Sequence, residues 1–157
     1  MAEMLRRRWH PALVHFPIAC WVLTTLIDLS LLLPWHIELK SVPWSGVSVG
    51  LLWTGVLFAI PTMLAGFLDF ASLPRAVQDS RELTSHILSM GVAFICFLVA
   101  AILRTRSSSF ETPAVWYVVA VESVGSILLV YGGHLASIVV FERLRTVPLD
   151  SESAPLP

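Results

Sequence analysis

Charged residues are scarce in this chain. Only 13% of its 157 residues are Asp, Glu, Lys or Arg, against roughly a quarter in a soluble domain. Hydrophobic residues make up 56%, and mean hydropathy is +0.79. The deficit excludes an ordinary soluble domain and points to a membrane protein of a single domain. The chain has no basic stripe and a formal net charge of −1, so nothing suggests nucleic acid as a partner. Cysteine is limited to Cys20 and Cys96, both inside apolar runs. That excludes a disulfide scaffold, and without a CxxCH motif it also excludes covalent c-type haem. The two thiols read as packing residues. There is no visible internal repeat of the kind most secondary transporters show, and no nucleophile–base arrangement that would suggest a hydrolase. No small-residue cleavage pattern ends the first apolar run, which reads as an uncleaved span rather than a signal peptide.

What is present is long apolar sequence. A membrane span needs roughly 20 mostly apolar residues, and four stretches qualify: about 11–33, 47–70, 83–103 and 114–141. The connections PWHIELKSVPW, ASLPRAVQDSRE and RTRSSSFETP are short and carry breakers. The fold expected is all-α, an antiparallel four-helix bundle in the membrane over residues 1–145, with a polar and disordered tail over 146–157. Gly46 and Gly50 form a GxxxG pair, and Gly125, Gly132 and Ala136 line one face of the fourth span, marking close helix contacts or an oligomer interface. Pro17 and Pro61 are expected to kink or break their helices.

Arginine sets the expected orientation. Arg6, Arg7, Arg8, Arg75, Arg81, Arg143 and Arg145 fall on one side, against Lys40, Arg104 and Arg106 on the other. The positive-inside rule then puts both termini in the cytoplasm. Trp9 suits the inner interface, and Trp35, Trp44 and Trp116 the outer one.

Ionisable residues within a bilayer are costly and count as functional candidates. By depth, His10, His15, His86, His134 and Asp69 all fall in the cytoplasmic half and come from all four spans. His36 lies in an outer loop. On a regular helix His10 and His15 would point about 140° apart. Because Pro17 disfavours helix at Phe16, HPALVHFP is expected to be a bent segment carrying both rings inward. Imidazole is a common ligand for metals and for haem. A b-type haem needs two axial histidines from different helices and room for a flat ring, which Gly132 and Gly133 beside His134 would supply. Alternatively, His15, His86, His134 and Asp69 would hold a non-haem metal with mixed nitrogen and oxygen ligands. A third possibility is a structural histidine network in an accessory subunit. Asp28 is expected near water at the outer end of the first span, and Glu122 has no evident partner.

The motifs HPALVHFP, AGFLDF, the lone histidine of RELTSHIL and GGHL resemble a family of small bacterial four-span membrane proteins with HPxxVHFP, AGxxDW and GG motifs. The resemblance covers residues 9–143. His10, Pro11, His15, Pro17, Gly66, Asp69, His86, Gly132 and Gly133 match its pattern position by position, and Phe70 replaces the usual tryptophan. His134 departs from the pattern, so the resemblance favours His15 and His86 as the ligand pair. It implies a multi-pass protein of the bacterial inner membrane, and its redox associations favour electron transfer. The leading expectation is therefore one haem b, or another redox metal, held by His15 and His86 with His134 close behind. His10 and Asp69 would support the ligands from behind or on the propionate side. The partners expected are the lipid bilayer, a quinone, and a redox partner protein or larger respiratory or photosynthetic complex.

Overall fold

The computed structural model describes residues 9–32, 42–106 and 115–143. The expected tail, His36, Lys40 and the N-terminal arginines lie outside them. All regular structure within them is helical: α1 (Trp9–Leu13), α2 (His15–Leu32), α3 (Trp44–Ala71), α4 (Arg75–Gln78), α5 (Arg81–Arg106) and α6 (Trp116–Ile138), followed by a π-helical turn, Val139–Arg143. Four stretches are long and apolar enough to cross a membrane: His10–Leu32, Trp44–Ala71, Arg81–Arg106 and Trp116–Phe141.

The first break follows from proline chemistry. Pro17 has no N–H, and its ring collides with the carbonyl four residues back, which belongs to Leu13, where α1 ends. Val14 forms the turn and α2 begins at His15. At Pro61 the helix is not broken: α3 runs through the proline without interruption. The carbonyl that Pro61 frees is that of Leu57, a loss membrane helices tolerate, and one residue on the Thr62 hydroxyl bonds back to the Phe58 carbonyl at 2.7 Å. The α3–α5 connection is closed by α4. There Gln78 donates to the carbonyls of Phe70 and Leu73, and the buried Ser80 hydroxyl accepts from the Leu83 N–H at the start of α5, as an N-cap does.

In the bundle, α2 packs against α3 and α6, and α5 packs against the same two helices. Helices α2 and α5 are therefore diagonal partners, and they meet at the centre. There the Trp21 and Phe97 rings stack with centroids 4.6 Å apart and planes 4° from parallel. Glycine makes room for both rings. A Cβ at Gly55 would run into the Trp21 ring, and one at Gly125 would lie 2.8 Å from the Phe97 ring. Leu52, Val56, Ala93, Ala100 and Leu129 complete this core. Among the described residues a Cβ at Gly50 would meet no atom within 4 Å, and one at Gly46 would meet only the Cβ of Pro43 at 4.0 Å, so no neighbouring helix packs on this pair.

Along every helix this aromatic layer separates two polar groups. On one side are the histidines of α1, α2 and α5. On the other are Asp28 of α2, Ser48 of α3, Arg104 of α5 and Glu122 of α6.

Candidate functional site

A cavity of about 770 Å³ opens on the histidine side of the aromatic layer, within the range of roughly 300–1,000 Å³ typical of ligand pockets. Its walls are mostly apolar. The break at Val14 lets both His10 and His15 line it, joined by Asp69 of α3, His86 of α5 and Gly133 of α6, with Trp21 at its inner end.

His86 and His10 are held in one definite way. The His86 Nδ1 lies 2.8 Å from the Gly132 carbonyl, and the His10 Nδ1 lies 2.9 Å from the Thr62 carbonyl. A carbonyl only accepts, so each Nδ1 carries hydrogen, and in the neutral ring the lone pair is at Nε2. That is the tautomer and anchoring found in metal-ligating histidines. Glycines permit both contacts. The His10 ring lies close against Gly66, where a Cβ would come within 2.9 Å of Nδ1. At Gly132 a Cβ would come within 2.8 Å of the Ser89 hydroxyl. His15 is exposed at the cavity mouth. Because α2 and α5 are diagonal, His15 and His86 approach the cavity from opposite walls, and His10 is near enough to His86 for their charges to interact.

Two expected members fall elsewhere. His134 is exposed and does not line the cavity, because on α6 the residue turned that way is Gly133, with Ala136 and Ser137 one turn on. Gly132 is buried against α5, so it sets the helix spacing and supplies the carbonyl for His86 rather than room for a ring. Among the described residues, no three His, Cys, Asp or Glu side chains converge to hold a metal ion. The set His15, His86, His134 and Asp69 is thus not gathered at one point.

The second polar group was not visible as a unit in the sequence. Asp28 and Glu122 are 0% exposed and Arg104 is 3% exposed. The Arg104 Nη2 lies 3.9 Å from Asp28 Oδ1 and donates to the Ser45 carbonyl at 3.3 Å. Asp28, expected near water, is fully enclosed, and Arg104, counted as a loop charge, is inside the bundle. Their depth was the available signal: in an up-and-down bundle the first and third spans run parallel, so an acid late in the first and a basic residue late in the third reach the same end.

These features define an all-α helical bundle of the integral membrane class, with four candidate spans. A family model described as a predicted membrane protein (DUF2231) matches residues 7–146, and the chain belongs to that family. No curated protein matches the chain, and no solved structure does.

Proposed function

We propose that this protein binds one haem b in the histidine-lined cavity and passes electrons between a membrane carrier such as quinone and a partner protein. The observation that carries the reading is the pairing of His86, tied through Nδ1, with His15 across the diagonal of a ligand-sized apolar cavity. A bis-histidine haem asks for only two protein ligands, so it does not need the three-residue cluster that a non-haem metal would. When bound, the haem supplies one-electron redox chemistry. The chain's own contribution is orientation: Gly132 fixes the His86 ring, and Thr62 and Gly66 fix His10 beside it. The apolar wall excludes water, and Asp69 offers a polar edge.

The test is the absorption spectrum of detergent-purified protein from haem-supplemented cells. Wild type should show a low-spin b-type spectrum near one haem per chain. His86→Ala and His15→Ala should lose the haem or turn it high-spin. His10→Ala should keep it with a shifted potential, and His134→Ala should match wild type. A colourless wild type, or a spectrum unchanged in His15→Ala and His86→Ala, rules the reading out.

One observation favours a second reading. Both imidazole bonds tie neighbouring helices together, α1 to α3 and α5 to α6, as in a structural network of an accessory subunit. That reading predicts a colourless protein that co-purifies with larger subunits and tolerates His86→Gln.

The arginine distribution supports both termini in the cytoplasm of a bacterial inner membrane. Arg104 now drops out of the outer count, which sharpens the asymmetry.

A further inference from the structure

On the far side of the Trp21–Phe97 layer, two acids and one base are buried together. The Thr25 hydroxyl of α2 and the Ser126 hydroxyl of α6 are 3.0 Å apart, and one helical turn further along the same two faces Asp28 and Glu122 are both fully buried. Neither oxygen of either carboxyl receives a hydrogen bond. The Ser48 hydroxyl is fully buried and without a hydrogen-bond partner, and the Ser48 carbonyl accepts from the Thr24 hydroxyl, one turn before Asp28 on α2. Among the described residues the cation beside them is Arg104 of α5, whose Nη2 lies 3.9 Å from Asp28 Oδ1. Ser48 and the Ser45 carbonyl are contributed by α3, Asp28 by α2 and Glu122 by α6, so every spanning helix is represented.

The charges do not balance with both acids ionised. Among the described residues, two carboxylates against one guanidinium leave one negative charge among fully buried side chains, and an uncompensated buried charge is heavily penalised. Two ionised carboxyls also offer four acceptors and no hydrogen between them. One added positive charge resolves both problems. A monovalent metal ion would need a shell of oxygens and would sit beside a repelling guanidinium. A proton needs only the two facing oxygens, and it turns a repulsion into a short charge-assisted hydrogen bond.

We infer that Asp28 and Glu122 form a proton-binding site, with one proton shared between the two carboxyls and the remaining charge neutralised by Arg104. The ligand is a proton, and the site holds it in the half of the bundle away from the histidines. It stands independently of what the histidine cavity binds.

Infrared spectroscopy of the purified full chain in detergent at neutral pH reads this directly, through the C=O stretch of a protonated carboxyl and its downshift in heavy water. Wild type should show one such band. Asp28→Asn and Glu122→Gln should each abolish it, because the single acid left then ionises against Arg104. Arg104→Gln should roughly double it, because both acids then hold protons. Ser48→Ala should keep it. Circular dichroism checks that each variant retains its helix content, and the two amide variants decide the matter if Arg104→Gln does not fold. The proposal fails if wild type lacks the band, or if the band survives both amide substitutions. It also fails if replacing choline with sodium removes the band, since a metal cation would then fill the site.

Discussion

Gly125 and Gly50 look alike in the sequence, both small residues in apolar helices, but they face different surroundings. A Cβ at Gly125 would press on the rigid Phe97 ring, whereas one at Gly50 would meet open space. Gly125→Ala should therefore destabilise the bundle by about 1–3 kcal/mol through overpacking. Gly50→Ala should be neutral or stabilising by up to about 1 kcal/mol from helix propensity. Thermal unfolding in detergent, followed by circular dichroism, separates them. Single-residue patterns carried part of this information. The small-residue face at Gly125 and Gly132 does mark a close contact, but among the described residues GxxxG at Gly46 and Gly50 marks no close helix contact. Spacing alone cannot say which face of a helix meets a neighbour, and that also hid the outward turn of His134.

The break between α1 and α2 is what brings two histidines to one cavity. In Pro17→Ala an N–H returns opposite the Leu13 carbonyl, and α1 should fuse with α2. His10 and His15 would then diverge by about 140°, and the bond from His10 to Thr62 should be lost. Nitrogen NMR of labelled histidine would report this as loss of one hydrogen-bonded Nδ1 resonance, with His86 retained as the internal control. Helices were the most legible level. Hydropathy located all four spans to within a few residues, because length and apolarity are local properties of the chain. Pro61 was less legible. Whether a proline breaks a membrane helix depends on whether neighbouring groups take up its freed carbonyl, which is a tertiary matter.

The arrangement of four helices into two polar layers was only half readable. Depth along each span placed the histidines at one end and Asp28 at the other, but short loops do not fix which helices are diagonal, so the meeting of Asp28, Arg104 and Glu122 went unseen. Orientation is a further property of the assembled chain. A C-terminal fluorescent protein should be bright in bacterial cells and a C-terminal alkaline phosphatase inactive, because both report a cytoplasmic end; the opposite pattern would reverse the topology read from the arginines.

The stacked Trp21 and Phe97 rings have a consequence for how the helices are indexed along their length. Each ring fits where its facing helix has a glycine, so a slip of α5 by one turn, about 5.4 Å, would drive Phe97 away from Gly125 and into side chains. The same slip would pull His86 from the Gly132 carbonyl at one end and Arg104 from Asp28 at the other. The aromatic pair thus acts as a detent for the whole assembly. It holds one axial setting in which two distant polar layers are in register together, and bulk added at Gly55 or Gly125 should be felt at both.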